Sequence, residues 1–150
     1  MENLKITSDF ENNWSIPQLY SCEWQNFNPE LIIENLPDGT VSLAIIMDDP
    51  DAPNWTFIHW VAWNIMPWDI SFNSSGSWEF DEWLNSAWKK WYTWPCPPVW
   101  HWIHHYHFKI YALSEKLDLS SETTKKQNLE NEMQWKIISM GELIGLYGRG

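Results

Sequence analysis

Short apolar runs separated by turn residues dominate the pattern of this chain. Five runs rich in Val, Ile, Phe, Trp and Tyr predict β-strands, at Leu31–Ile33, Val41–Met47, Phe57–Ile65, Tyr106–Leu113 and Ile137–Tyr147. Turn signals recur between these runs, which is typical of an all-β sandwich or barrel rather than of β-α-β units. Residues 1–150 therefore predict one mainly β domain, and no run approaches the roughly twenty apolar residues of a membrane-spanning helix.

Alternation around the fourth run predicts two different faces. One face carries His104, Tyr106, Phe108 and Ile110, and the other carries His105, His107 and Lys109. We expect the first face to contribute to a site. We expect His101, His105 and His107 to be solvated.

One stretch near the end of the chain has the pattern of an amphipathic helix. It begins near Ser120 and Ser121, has Glu122 in its first turn, and carries Leu129 and Met133 four residues apart. We expect it to end near Gln134, with its charged residues on a solvated face.

Acidic residues outnumber basic ones by 20 to 9, for a net charge of -11. This charge disfavours nucleic acid and anionic membrane surfaces as partners, so an anion would need a local pocket. The first residues lack the basic and apolar segments of a secretory signal, so we expect a soluble cytoplasmic protein without membrane insertion, monomeric or homodimeric.

The two cysteines, Cys22 and Cys96, form neither a CxxC pair nor a disulfide framework. We expect both to be thiols in a reducing compartment. Zinc ligation by Cys96 with His101, His104 and His105 would lack standard ligand spacing, so we expect no metal and no cofactor.

Compared with average usage, tryptophan is unusually frequent in this chain and glycine is scarce. The chain has 14 Trp and 6 Gly, whereas average usage of about 7% predicts about ten Gly. Trp60 and Trp63 lie in a strand-like run. The others stand where turns or a helix end normally carry Gly, at Trp14, Trp24, Trp55, Trp68, Trp78, Trp83, Trp88, Trp91, Trp94, Trp100, Trp102 and Trp135. Our hypothesis is that a codon reassigned to Gly has been translated as Trp at these twelve positions; the alternative is a Trp-rich binder of carbohydrate or aromatic ligands.

Two proline-stiffened loops lead into histidine-bearing strands. Asp49–Pro53 precedes Phe57–Val61, and Pro95–Pro98 precedes His104–Tyr106. Proline restricts the backbone, so each loop can hold donors and carboxylates beside a strand. Histidines oriented by Asp, with a tyrosine hydroxyl, can surround a phosphate-type anion.

These four segments resemble the phosphatidylethanolamine-binding protein family, in its bacterial and archaeal Raf kinase inhibitor-like (YbhB/YbcL-type) branch. The resemblance extends in order from Ser8 to Tyr147. It implies a large antiparallel sheet packed on a smaller one, with one or two short helices, and a small pocket for an anion or a phospholipid headgroup. The implied pocket residues are Asp49, Asp51, His59, Cys96, Pro97, His104 and Tyr106.

The resemblance favours a non-enzymatic binding module, regulatory in the manner of a kinase inhibitor, with a small anionic ligand and a protein partner such as a kinase. The alternative is a hydrolase-type enzyme that uses His59 or His104 with Asp49, and Cys96 as the candidate thiol nucleophile. A scaffold with a vestigial pocket is a third possibility. If His59 and His104 act as donors, binding should weaken as the pH rises. Indoles at Trp94, Trp100 and Trp102 are expected to block the pocket.

Overall fold

The computed structural model describes residues 3–122 and 125–150 of the chain. Its strands are β1 (Lys5–Thr7), β2 (Trp14–Ser15), β3 (Ile32–Glu34), β4 (Ser42–Asp49), β5 (Phe57–Ile65), β6 (Asp81–Trp83), β7 (His104–Leu113) and β8 (Ile137–Tyr147). A 3-10 turn covers Gln18–Tyr20, and the helix α1 covers Lys126–Met133. The prediction of a mainly β fold is confirmed.

The strands form one large and one small sheet. The six-stranded sheet has the order β2-β8-β7-β4-β5-β6, and β1 pairs with β3 in the two-stranded sheet. All neighbours are antiparallel except β2 and β8, which are parallel. The predicted large sheet is therefore present, but its edge is mixed rather than purely antiparallel.

The central strand β4 is buried on both faces of the large sheet. Leu43 and Ile45 belong to the core shared with the small sheet, which contributes Ile6 and Ile33. On the opposite face, Ile46 packs in a second cluster with α1 side chains. Strands covered on both faces read as continuous apolar runs, which is why the sequence shows β4 so clearly.

The small sheet approaches β8 very closely at Gly141. A Cβ atom at this position would lie 2.3 Å from the carbonyl oxygen of Leu4. The main chain of Leu4 donates a 3.0 Å hydrogen bond to the carbonyl of Met140 in the same strand. Glycine is needed here because no side chain fits between the two backbones.

All five predicted strands are present, each within three residues of the expected bounds. Sequence analysis missed β1, β2 and β6, which have only two or three residues and so show no periodicity.

The predicted start of the helix is wrong. Ser120 accepts a hydrogen bond from the main chain of Glu122 in a local turn, and such turns compete with helix. The helix begins at Lys126, where Asn128 accepts from the main chain of Lys125. Leu129 and Met133 are buried as expected. Residues 123–124, which the predicted helix included, lie outside the described residues.

The tryptophans separate into two groups by burial. Trp60 and Trp63 are fully buried. Ten of the twelve questioned tryptophans are exposed, and the exceptions are the buried Trp83 and the partly buried Trp94. Four of the twelve have a positive φ, between 60° and 71°, at Trp78, Trp88, Trp100 and Trp135. This left-handed region favours Gly and is costly for an aromatic residue.

Candidate functional site

Three neighbouring strands bring the candidate residues to one end of the large sheet. Strand β4 is antiparallel to both β5 and β7. Its last residue, Asp49, therefore lies beside the first residues of the other two strands, with Phe57 as its paired residue in β5. The sequence alternation places His59, His104 and Tyr106 on the same face of the sheet as Asp49.

A cavity of about 230 Å³ opens at this place, and we call it the Asp49 cavity. Its walls are Asp49, Ala52, Pro53, Phe57, His59, Thr93, Trp94, Cys96, Pro97, Pro98, His104 and Tyr106. Six of the seven candidate ligand-binding residues thus surround one cavity. Asp51 is the exception and does not line it.

The expectation that three indoles block this cavity is wrong for two of them. Trp94 forms part of the wall, but Trp100 and Trp102 do not. Both are exposed to solvent. The cavity is therefore open with these indoles in place.

Asp49, His104 and His101 form a hydrogen-bonded chain. His104 Nδ1 donates to Asp49 Oδ2 over 2.6 Å, and both side chains are almost completely buried. His104 Nε2 lies 2.7 Å from Nδ1 of His101. The other oxygen of Asp49 accepts from the main chain of Asp51 over 2.9 Å. Both nitrogens of His104 are therefore occupied, and His101 is a contact of the site rather than only a solvated residue.

His59 is held by the loop that follows β6. Its Nδ1 lies 2.8 Å from the carbonyl oxygen of Thr93, and the main chain of Thr93 donates back to the carbonyl of His59 over 3.0 Å. A carbonyl oxygen only accepts, so Nδ1 carries the hydrogen. Burial lowers the pKa of His59 to about 4, against smaller opposing effects of Thr93 and Asp49. The imidazole is neutral near pH 7, and its Nε2 has a lone pair.

The hydroxyl of Tyr106 completes the polar wall. The Tyr106 side chain is 1% exposed and its ring lies 5.2 Å from the His59 ring, centroid to centroid. Burial, with the nearby charge of Asp49, raises the pKa of Tyr106 well above its ordinary value. The hydroxyl therefore keeps its proton and can donate it.

Asp51 does not line the cavity, and its side chain binds His105 instead. Its Oδ2 accepts from the His105 main chain over 2.8 Å and lies 2.6 Å from His105 Nδ1. Burial raises the pKa of Asp51, but the contacts with His105 outweigh it and the net shift is downward. Asp51 also donates its main-chain N–H to Asp49, so it positions a wall residue indirectly.

The expectation of two free thiols is wrong. Cys22 and Cys96 form a disulfide across 74 residues of sequence. Cys22 also donates its main-chain N–H to the carbonyl of Pro95 over 3.0 Å. The pair ties the cavity loop to the segment after the 3-10 turn.

A second anchor holds this loop from the other end of the chain. Arg149 donates from Nε to the carbonyl of Pro97 over 2.8 Å, and its own carbonyl accepts from the main chain of Trp100. Sequence analysis missed both Arg149 and Thr93, because neither belongs to a motif and only the folded chain brings them to the cavity.

The described residues offer no cluster of three or more His, Cys, Asp or Glu side chains arranged to hold a metal ion. The zinc set considered above also loses Cys96, whose sulfur is bonded to Cys22. Within 3–122 and 125–150, no helix is long and apolar enough to cross a membrane.

Comparison with known proteins identifies relatives of this chain. Residues 6–148 match the family model described as phosphatidylethanolamine-binding protein. A UPF0098 protein of Pyrococcus horikoshii is 46% identical, over 98% of this chain and 77% of its own length. A crystal structure from Chlamydia trachomatis, described as a putative phosphatidylethanolamine-binding protein homolog, superposes with a TM-score of 0.90 at 30% identity, covering 99% of both chains.

The fold is shared more widely. YbcL of E. coli superposes with a TM-score of 0.89 at 21% identity, covering 99% of this chain and 100% of that one. The extent of the family match and the identity to the archaeal relative settle the assignment. The chain belongs to the phosphatidylethanolamine-binding protein family.

Proposed function

We propose that this chain is a non-enzymatic binding protein whose Asp49 cavity holds a phosphate-type anion or a phosphorylated headgroup. The observation that carries the proposal is the meeting of two proline-stiffened loops and three strands around one cavity, with buried polar side chains in its wall. Small-molecule sites are typically such concave pockets with a few fixed polar groups. The family assignment supports a binding protein of this kind.

A regulatory role follows as part of the proposal. Asp51, whose main chain donates to Asp49, and its partner His105 are partly exposed and offer a surface to a partner protein such as a kinase. Ligand binding in the cavity would then change the surface that the partner protein contacts. A kinase assay with and without added phosphate tests this role.

The competing function is a hydrolase in which His104, oriented by Asp49, acts as a general base. This alternative has lost its thiol nucleophile, because Cys96 is disulfide-bonded. His104 Nε2 is directed to His101 rather than to a free position in the cavity. The binding function is therefore favoured.

Isothermal titration of the full chain with inorganic phosphate and with phosphoethanolamine tests the proposal. We expect saturable one-site binding at pH 5.5 that is unchanged in His107→Gln, which alters the opposite face of β7. Absence of binding by both probes would overturn the proposal. Sustained turnover of p-nitrophenyl phosphate or p-nitrophenyl acetate, lost in His104→Gln, would replace it with the hydrolase.

A second proposal concerns the twelve questioned tryptophans, which we infer are Gly in the protein as the source organism makes it. Four of these residues have a left-handed backbone. The ring of Trp102 also lies 3.3 Å from that of His101, centroid to centroid, whereas aromatic pairs prefer about 4.5–7 Å. Gly at Trp94 would widen the cavity without changing its polar groups.

A further inference from the structure

The polar atoms of the Asp49 cavity are mostly satisfied by the protein itself. Both oxygens of Asp49 accept hydrogen bonds. Both nitrogens of His104 and the Nδ1 of His59 have partners. Nε2 of His59 and the hydroxyl oxygen of Tyr106, which both belong to wall residues, have no such partner among residues 3–122 and 125–150.

These two atoms have opposite hydrogen-bonding roles. His59 Nε2 is an acceptor, because the hydrogen of the neutral ring is on the Nδ1 that faces Thr93. The Tyr106 hydroxyl is a donor. Both residues line the same cavity of about 230 Å³ and their rings are 5.2 Å apart, centroid to centroid, so we expect one small tetrahedral group to reach both atoms. Burial makes an unsatisfied partner costly, so a ligand that matches both roles is preferred over one that matches a single role.

The charge of the wall also restricts the ligand. Among the described residues, no lysine or arginine lines the cavity. The carboxylate of Asp49 does line it. A doubly charged phosphate would meet this carboxylate without a cationic partner, and burial of unpaired charge is unfavourable. An ion that retains one hydrogen carries less charge and supplies the donor that His59 needs.

We propose that the Asp49 cavity binds a phosphate group that retains a hydrogen, with its P–OH donating to Nε2 of His59 and another phosphate oxygen accepting from the hydroxyl of Tyr106. This inference rests on the proposed function and deepens it. Phosphate monoesters and inorganic phosphate have such a form. Phosphodiesters, as in intact phospholipid headgroups, have no hydrogen on phosphate and lack the contact with His59.

The groups that face His59 are Asp48 and Asp49 of β4, and His104 and Tyr106 of β7. A pH dependence could arise from one of these groups or from the ligand, and the experiment must separate the two. The separation uses two ligands that differ in their second pKa but present the same phosphate oxygens. Phosphoethanolamine has a second pKa of about 6; 2-aminoethylphosphonate, which lacks the ester oxygen, is more basic.

Isothermal titration of the full chain is carried out with both ligands between pH 5 and pH 8. Only the hydrogen-bearing fraction binds, so the affinity should fall about tenfold per pH unit above the second pKa of each ligand. We expect the midpoint to move upward with the phosphonate. Glycerophosphoethanolamine, the diester with the same amine, should bind about tenfold more weakly at pH 5, or worse, and show little change with pH.

Two variants test the contacts directly. Tyr106→Phe should weaken phosphoethanolamine binding by about tenfold or more, while His107→Gln on the opposite face should have no effect. In His59→Phe the preference for the monoester over the diester should disappear. If that variant does not fold, the shift in the pH midpoint of binding between phosphoethanolamine and 2-aminoethylphosphonate still tests the proposal.

The outcomes distinguish the two proposals. Binding of all three probes with one common midpoint, or equal affinity for monoester and diester, would overturn the hydrogen-bearing ligand and leave the anion-binding function standing. If none of the three probes binds at any pH, and inorganic phosphate does not bind either, both proposals are overturned. Binding of ethanolamine alone with the same affinity as phosphoethanolamine would also overturn both, because the cavity would then recognise the amine.

Discussion

Asp49 accepts a 2.6 Å hydrogen bond from Nδ1 of His104 in the buried wall of the cavity. The two residues are 55 positions apart in sequence and end up at the meeting point of β4 and β7. A buried carboxylate with full hydrogen bonding fixes its partner in one tautomer and orientation. The pair therefore determines how the imidazole of His104 is presented to His101.

The first prediction concerns this pair. Asp49→Asn replaces one acceptor oxygen by an NH2 group, which must face either the His104 N–H or the Asp51 main chain. Because a buried partner is then left unpaired, we expect the free energy of unfolding to fall by about 3 kcal/mol. Denaturant titration measures it.

Asp51→Asn is the matched control for this prediction. The Asp51 side chain is partly exposed, so the loss of its contact with His105 should cost less than about 1 kcal/mol. Equal losses in the two variants would show that the Asp49 contact has no special importance.

The second prediction is a loss of stability in acid. Burial lowers the pKa of His59 to about 4, from about 6.5 in an unfolded chain. Between these values the unfolded chain binds more protons than the folded one, so the free energy of unfolding falls as the pH decreases from about 6.5 to about 4. The contribution of His59 is about 3 kcal/mol.

Urea titrations at pH 7 and pH 4 test this second prediction in the unmodified chain and in His59→Gln. The variant amide can still donate to the carbonyl of Thr93 but does not titrate. The unmodified chain should lose about 3 kcal/mol more than the variant over this interval. An identical loss of stability in the unmodified chain and in the variant would show that groups other than His59 cause the acid sensitivity.

The third prediction concerns the disulfide. Replacement of Cys22 and Cys96 together by Ser removes a cross-link between residues 74 positions apart. The unfolded chain gains conformational freedom, so the free energy of unfolding should fall by about 4 kcal/mol. The loop from Thr93 to Pro98 loses its tie to the segment after the 3-10 turn, so ligand affinity should fall as well. Reduction of the unmodified chain should reproduce both effects in titrations with dithiothreitol; unchanged stability would contradict the prediction.

Local pattern was sufficient to predict the long strands, whereas the set of candidate cavity residues was implied by the family resemblance that the two proline-rich loops and their histidine-bearing strands carry. Alternation separated the faces of β7, which the structure confirms with buried His104 and Tyr106 and more exposed His105 and His107. Proline-rich loops beside strands indicated where the wall would form. Both signals come from residues adjacent in sequence, where periodicity and backbone restriction act.

The features that sequence analysis missed depend on contacts between distant segments. The disulfide requires two cysteines to come within 5.3 Å of each other at their Cα atoms, and their spacing in sequence contains no such information. The hydrogen bond from Arg149 to the carbonyl of Pro97 joins residues 52 positions apart. Every residue type has a main-chain carbonyl like that of Thr93. The sequence therefore does not show which carbonyl will accept a hydrogen bond from a cavity residue.

The fourth prediction is chemical. Peptide mass spectrometry of the protein purified from its natural source should find Gly at the twelve questioned positions and Trp at Trp60 and Trp63. The two retained tryptophans are fully buried, so they act as internal controls. Trp found at Trp55, Trp94 and Trp102 in that protein would refute the reassignment.

The last prediction tests the same idea through stability. Trp78, Trp88, Trp100 and Trp135 have positive φ values and exposed side chains. Their replacement by Gly removes a left-handed strain of about 1 kcal/mol each while breaking little packing. Because the four sites are well separated in sequence and none of them lines the cavity, we expect the effects to add to about 4 kcal/mol in denaturant titrations. Trp14→Gly is the matched control, since Trp14 is also exposed but has an ordinary strand backbone; it should give no gain. A fourfold variant less stable than the unmodified chain would show that the fold accommodates these indoles without strain, and would contradict the prediction.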